Sequence, residues 1–187
     1  MRATVLFVPG LRDHVADHWQ TLLAEQLPGS RTVPPLAANK LSCAARVEAL
    51  DQAIRAIDGP IVLVAHSAGV LTVVHWAERR LARIRGALFA TPPDLERPLP
   101  EGYPNLAELN AGGWLPVPRN QLPFPSMVAA STNDPLAEFE RTAELAASWN
   151  SLLVDLGEVG HLNPAAGFGP WPRAFELLRS LDRELDA

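Results

Sequence analysis

Short apolar runs alternate along the chain with segments in which apolar residues recur at helical spacing. Each run ends in a turn signal, which is the pattern of βαβ units that build a parallel sheet. The predicted strands are Thr4 to Val8, Arg31 to Val33, Ile61 to Ala65, Gly86 to Ala90, Ser126 to Ser131 and Leu152 to Leu156. Because the middle strands are almost wholly apolar, we predict a mostly parallel sheet of about six strands with helices on both faces.

Capping and stop signals divide the intervening segments into helices. Asp17 with Gln20 resembles a capping box, and Ser42 is placed to cap the next helix, which Gly59 would end. Further helices are predicted over Ala68 to Leu81, Pro135 to Trp149 and Trp171 to Leu185. Strand and helix alternate throughout, so we expect one α/β domain over residues 1–187.

The proline-rich stretch Pro92 to Pro125 breaks this alternation. It predicts an irregular loop with at most a short helix near Leu106. A small lid or wall over a pocket and an ordered surface loop are both open interpretations, because the stretch is too short for a separate domain.

The segment Val64-Ala65-His66-Ser67-Ala68-Gly69 follows an apolar strand and leads directly into a predicted helix. It has the pattern of the nucleophile elbow of α/β-hydrolases, where a serine occupies a sharp strand-to-helix turn between small residues. Ala65 and Gly69 are small enough for that turn. The amide of Ala68, at the start of the helix, is then a predicted oxyanion donor. A chance turn of small residues is the alternative.

An acid and a histidine follow in the chain order that α/β-hydrolases use. Asp134 lies in the loop after the strand that begins at Ser126, although an Asp before a proline is also a common helix cap. Asp155 is the second choice for the acid. His161, in a glycine-flanked loop after the last strand, is the predicted base, with an exposed loop position as its alternative. Ser67, Asp134 and His161 are thus the candidate triad.

The loop after the first strand is the expected source of a second oxyanion donor. Gly10 permits close approach of the backbone, and the N–H of Leu11 is the predicted donor. A simple strand-ending turn is the alternative. Arg12, Asp13 and His14 would line the same rim and influence substrate choice, unless they form a solvated polar loop.

Composition excludes several classes of function. The chain is 48% hydrophobic and 20% charged with a formal net charge of -5, and it lacks the clustered basic residues that bind nucleic acid or anionic membranes. No apolar run approaches the length of a membrane span. The single cysteine, Cys43, can form neither an internal disulfide nor a zinc knuckle, so we expect a cytoplasmic protein.

Several blocks together give the chain a family resemblance. They are Val8-Pro9-Gly10, Asp17-His18-Trp19-Gln20, the elbow at Ser67, Leu122-Pro123-Phe124-Pro125-Ser126, Ser131-Thr132-Asn133-Asp134-Pro135, Gly160-His161-Leu162-Asn163 and Gly167-Phe168-Gly169-Pro170-Trp171-Pro172. The chain resembles the small serine hydrolases that include bacterial YdeN-type proteins and the retinoblastoma-binding protein nine hydrolase of animals. The resemblance implies an α/β-hydrolase fold with minimal or no cap, a triad of Ser67, Asp134 and His161, and no metal or organic cofactor.

Two departures from that family bear on the substrate. The turn after Gly10 lacks the serine often found there, and the region from Pro34 to Ala45 lacks the usual tryptophans. The predicted function is hydrolysis of a small ester, amide or thioester through an acyl-enzyme on Ser67. A catalytically silent binding or scaffolding protein is the alternative from another class, and a haloperoxidase-like activity also stays open. Three aromatic residues are candidates for either pocket wall or core: Trp114, Phe168 and Trp171.

Overall fold

The computed structural model describes residues 3–13, 15–78 and 84–184. Within them the strands are β1 Thr4–Val8, β2 Arg31–Thr32, β3 Ile61–His66, β4 Ile84–Ala90, β5 Ser126–Ala130 and β6 Leu152–Asp155. The helices are α1 Trp19–Gln26, α2 Cys43–Arg55, α3 Ala68–Ala77, α4 Leu106–Ala111, α5 Phe139–Ser148 and α6 Pro172–Glu184, with a 3-10 turn at Pro164–Ala166.

The six strands form one sheet in the order β2-β1-β3-β4-β5-β6, and every pairing is parallel. The predicted α/β fold class is therefore confirmed. The strand order reverses between β1 and β3, so the loops that follow these two strands diverge and leave a crevice at the carboxyl edge of the sheet. Such switch points are where open α/β sheets bind ligands.

Helices cover both faces of this sheet, as the apolar strands predict. Side chains of β3 alternate between the faces, with Leu63 in one core layer and Val64 in the other. The Leu63 layer includes α2, α3 and α5, whereas the Val64 layer includes Trp19 of α1 and Leu178 of α6. Among the described residues no helix is both long and apolar enough to cross a membrane.

The predicted starts of α1 and α5 are wrong, because His18 caps the first of these helices and Asp134 caps a separate turn before the second. His18, and not Asp17, is the N-cap of α1, and its Nδ1 accepts the Gln20 N–H at 3.2 Å. Helix α5 begins at Phe139 instead of Pro135, because the residues after Asp134 first form a separate turn. The predicted Ser42 cap is confirmed by its bond from the Ala45 N–H.

The remaining boundaries differ by a few residues. Helix α2 ends at Arg55, four residues before the predicted stop at Gly59, and strands β2, β5 and β6 end one residue early. Strand β4 begins at Ile84 instead of Gly86, and β3 continues to His66. Helix α3 ends at Ala77, four residues before the predicted end at Leu81. Leu81 itself and the predicted end of the last helix at Leu185 lie outside the described residues.

The proline-rich stretch contains the predicted short helix, α4, between irregular segments. Its second half packs into the core, where Trp114 is fully buried and Leu122 and Phe124 are nearly so. Trp171 packs edge-on against Trp19 in the other core layer, with a ring-centroid distance of 4.8 Å. The candidate aromatic residues Trp114 and Trp171 are thus core residues.

Candidate active site

Ser67 occupies the sharp turn between β3 and α3. Its backbone has φ 57° and ψ −133°, a conformation that costs free energy for a residue with a side chain. The turn persists because its surroundings fix it, since the Ser67 N–H donates to the Ala90 carbonyl at 3.0 Å. Gly69 is also required, because a Cβ there would lie 2.2 Å from the Val8 carbonyl oxygen.

The structure brings Ser67, His161 and Asp134 into one hydrogen-bonded chain. Ser67 Oγ lies 2.8 Å from His161 Nε2, and His161 Nδ1 lies 2.8 Å and 3.1 Å from the two Asp134 carboxylate oxygens. The carboxylate can only accept, so Nδ1 carries the proton and Nε2 accepts from the serine hydroxyl. His161 is 4% exposed and is therefore not the exposed loop residue that the sequence left open.

Asp134 also takes the capping role that competes with its candidate role as the acid. Its Oδ1 accepts the Leu136 N–H at 2.9 Å, so the carboxylate is fixed by its own loop while it faces His161. The second choice for the acid, Asp155, lies at the end of β6 and accepts the Gly157 N–H at 2.7 Å. The histidine is thus paired with Asp134 and not with Asp155.

A polar network that sequence reasoning missed joins the loop of the acid to the loop of the histidine. Asn133 Oδ1 accepts the Gly160 N–H at 2.6 Å and the Ser131 hydroxyl at 3.0 Å. The Val159 N–H donates to Ser131 Oγ at 3.2 Å. The backbone just before His161 is therefore held from the adjacent loop. The polar side chains of Ser131 and Asn133, three and one residues before the acid, are the signal that could have indicated this role.

His66 supports His161 from beneath, a role that the sequence analysis did not assign. Its Nε2 lies 2.9 Å from the His161 carbonyl oxygen and donates to it. Burial, together with the neighbouring His161 and His18, holds the pKa of His66 well below its usual value, so this ring is a neutral donor. His18 packs on His66 with ring centroids 4.6 Å apart.

The two predicted oxyanion donors belong to residues that share a pocket with Ser67. Leu11 and Ala68 both line the pocket that contains Ser67, and within the described part of the chain neither backbone N–H donates a hydrogen bond. Gly10 brings the first of these loops close, because a Cβ built on it would lie 3.1 Å from the Ser67 Cβ. Both N–H groups are free to bind a ligand oxygen.

Arg46 of α2 fixes the loop that carries Leu11, a role that no pattern in the sequence indicates. Its guanidinium donates to the carbonyls of Lys40, Gly10 and Leu11 at 2.8, 3.2 and 3.1 Å. It also pairs with Asp13 at 3.2 Å, and both side chains are more than nine-tenths buried. Burial lowers the pKa of Arg46, and the Asp13 carboxylate offsets part of that effect.

The pocket above Ser67 has a volume of about 140 Å³. The first part of the proline-rich stretch forms one apolar wall, through Pro93, Leu95, Leu99 and Tyr103. This answers the question that the sequence left open: these residues are a pocket wall, while the rest of the stretch belongs to the core. Phe168 does not line this pocket.

Two of the three predicted rim residues line this pocket. Arg12 is exposed on the rim, whereas Asp13 is buried in its ion pair and so is not part of a solvated loop. His14 lies outside the described residues. No group of three or more His, Cys, Asp or Glu side chains suited to a metal ion occurs in the part of the chain that the structure covers.

Comparison with known proteins identifies solved structures that share this fold. A YdeN-like hydrolase of Pectobacterium atrosepticum superposes with a TM-score of 0.83 and is 29% identical, covering 98% of this chain and 92% of its own. The ydeN gene product of Bacillus subtilis gives a TM-score of 0.75 at 19% identity, covering 97% and 100%.

More distant structures share the fold. A thermophilic esterase from Thermogutta terrifontis gives a TM-score of 0.68 at 18% identity, covering 100% of this chain and 92% of its own. A search of curated protein sequences finds no significant match. The sequence model of the serine hydrolase family matches residues 5–180, so the resemblance seen in the sequence is confirmed and the chain belongs to the serine hydrolase family.

Proposed function

We propose that this protein hydrolyses small esters, or the related amides and thioesters, through an acyl-enzyme on Ser67. The hydrogen-bonded chain from Ser67 through His161 to Asp134 carries the proposal. A serine hydroxyl is a weak nucleophile until a base removes its proton, and His161 Nε2 lies at the distance that this transfer needs.

The reaction proceeds in two halves. Ser67 Oγ attacks the substrate carbonyl carbon as His161 takes its proton, and the imidazolium then protonates the leaving group as its bond to the acyl carbon breaks. Water, deprotonated by His161, attacks the acyl-enzyme and releases the acid. Asp134 holds the proton on Nδ1 and stabilises the imidazolium in both halves.

The free N–H groups of Leu11 and Ala68 are the proposed oxyanion donors. Each can donate to the negatively charged oxygen that forms when the carbonyl becomes tetrahedral. The positive end of α3 adds to this stabilisation, because Ala68 is its first residue. Donors that are already oriented cost no reorganisation as the charge develops.

The size of the pocket supports a small substrate. A volume of about 140 Å³ is close to that of cavities that hold a single benzene-sized molecule. A binding protein without activity would gain nothing from keeping a strained serine, an oriented imidazole and free N–H donors together. We therefore favour the enzyme over the silent scaffold.

Fluorophosphonate labelling, followed by hydrolysis of p-nitrophenyl acetate and butyrate, tests this proposal. We expect wild type to be labelled and Ser67→Ala to lose labelling and roughly 10⁴- to 10⁶-fold of kcat. Ser148→Ala, which changes a serine of α5 outside the pocket, is the control and retains both properties. Labelling that survives in Ser67→Ala, or absence of labelling in wild type, contradicts the proposal.

A further inference from the structure

Two residues with side chains of opposite charge, Arg12 and Asp13, are among the described residues that line the pocket. Asp13 is neutralised by Arg46 at 3.2 Å and Lys40 at 3.3 Å, and its side chain is 8% exposed. No carboxylate among the described residues compensates the positive charge of Arg12 in this way. Hence the rim of the pocket carries an unbalanced positive charge close to the reacting serine.

No carboxylate in the described part of the chain forms an ion pair with Arg12. Asp94 and Glu96, two acids of the neighbouring wall, are already paired, since they contact Arg141 at 3.0 and 3.1 Å. The Arg12 guanidinium carbon instead lies 6.0 Å from the centroid of the Tyr103 ring. An arginine over an aromatic face keeps its edge N–H groups available for an anion.

The backbone that carries Arg12 is held in place next to the serine. The Asp13 N–H donates to the Gly10 carbonyl at 3.1 Å, closing a turn around Leu11 and Arg12. Arg46 binds the carbonyls of Gly10 and Leu11 from the other side. Gly10 lies next to Ser67, and Arg12 follows Gly10 by two residues within this turn. The backbone of Arg12 is therefore held at a fixed position close to the serine.

We propose that Arg12, supported by the ring of Tyr103, binds a carboxylate of the substrate, so that this site selects small esters or related acyl compounds that carry one. The guanidinium fork matches a carboxylate in shape and charge. The apolar wall beside it excludes water from one side of the pair. This inference rests on the proposed hydrolase function, and it adds the chemical class of substrate.

Matched ester pairs test the selection, with the carboxylate on either side of the scissile bond. The leaving-group pair is 4-acetoxybenzoate and its methyl ester, and the acyl pair is mono-4-nitrophenyl adipate and its methyl ester. In each pair the measured quantity is the ratio of kcat/KM for the anionic ester to that for the neutral one. The arm in which Arg12→Gln lowers the ratio more identifies the side of the bond on which the carboxylate binds.

We expect Arg12→Gln to lower this ratio about tenfold or more in at least one arm, in keeping with a hydrogen bond to a charged group. Arg12→Lys, which keeps the charge but loses the fork, falls between wild type and Arg12→Gln. Arg173→Gln removes the same charge from α6, away from the pocket, and leaves the ratio unchanged. An Arg12→Gln ratio within twofold of wild type in both arms overturns the proposal.

A binding experiment separates failure of this inference from failure of the proposed function. Ser67→Ala is titrated with 4-acetamidobenzoate and with its methyl ester, and binding is followed by calorimetry. We expect the acid to bind more tightly, and the difference to disappear in the double variant that also carries Arg12→Gln. The acyl-side pair, adipic acid mono-4-nitroanilide and its methyl ester, is titrated in the same way. Equal affinities within both pairs overturn the carboxylate site, whether or not the wild-type protein hydrolyses any ester.

Discussion

Arg46→Met tests whether a buried guanidinium stabilises the loop that supplies one of the proposed oxyanion donors. Methionine retains much of the length and apolar volume of the side chain, so packing changes little. The variant loses hydrogen bonds to the carbonyls of Lys40, Gly10 and Leu11, and it loses the ion pair with Asp13. Of the polar contacts that the described residues give this loop, its own turn and the pairing of Asp13 with Lys40 then remain.

The expected cost follows from the burial of both partners. Removing one member of a buried ion pair costs about 3–5 kcal/mol, because the other charge is left without its partner. Arg46 and Asp13 are 7% and 8% exposed, so solvent screens this pair only weakly. Lys40 stays 3.3 Å from Asp13 and offsets part of the loss, which places the expected destabilisation near the lower limit, at about 3 kcal/mol.

Urea unfolding of wild type, Arg46→Met and Lys40→Met measures this cost. Lys40→Met is the matched control: the Lys40 side chain is 62% exposed, so its pair with Asp13 contributes less than about 1 kcal/mol. Where all three proteins are folded, we expect Arg46→Met to lower kcat for p-nitrophenyl acetate more than it raises KM, with partial recovery in Arg46→Lys. An Arg46→Met protein within 1 kcal/mol of wild type would refute this reasoning.

Three further perturbations test other parts of the site. Gly69→Ala places a Cβ 2.2 Å from the Val8 carbonyl oxygen, so we expect a loss of about 3 kcal/mol or more in urea unfolding, and unchanged stability would contradict the contact. Asn133→Ala removes the acceptor of the Gly160 N–H, so we expect roughly tenfold lower kcat with recovery in Asn133→Asp, and equal rates would argue against the network. Burial, and after it the charge of His161, lowers the pKa of His18 from 6.5 to about 4. Between these two pH values the unfolded chain binds a proton at His18 that the folded chain does not bind. The free energy of unfolding therefore falls by at most roughly 3 kcal/mol as the pH drops from 6.5 to about 4. His18→Asn keeps a helix cap and should flatten the pH profile of the unfolding free energy, whereas an unchanged profile would assign the effect elsewhere.

Much of the fold is predictable from the sequence because the sheet is buried on both faces. Strands such as β3 then need continuous apolar residues, and that requirement marks them without any knowledge of their neighbours. The elbow at Ser67 is equally local, since its turn demands small residues at fixed positions on either side. Asp134 and His161 follow from chain order, once the elbow has suggested which kind of site they complete.

The supporting residues were missed because their roles depend on partners distant in sequence. Arg46 lies 35 and 36 residues from the carbonyls that it binds near the serine, and it sits in an ordinary helical pattern. His18 was missed for the same reason, because its position before the first helix does not indicate that it lines the pocket. The spacing of apolar residues does not indicate such contacts between distant loops, because they form only when the sheet brings the loops together.

The pocket wall and the base have separate anchors, and this separation bears on how such a protein diversifies. The wall is anchored through Asp94 and Glu96 to Arg141, whereas the loop of His161 depends on Asn133. A bond from the Asp94 N–H to the Leu136 carbonyl joins the wall to the loop of the acid, and a backbone bond of this kind tolerates most side chains. Thr91, which directly precedes the stretch that forms the wall, donates to the His161 carbonyl at 3.4 Å. Mutations that reshape the wall can therefore accumulate without misaligning the reacting groups, so a lineage can exchange one substrate for another without passing through an inactive ancestor.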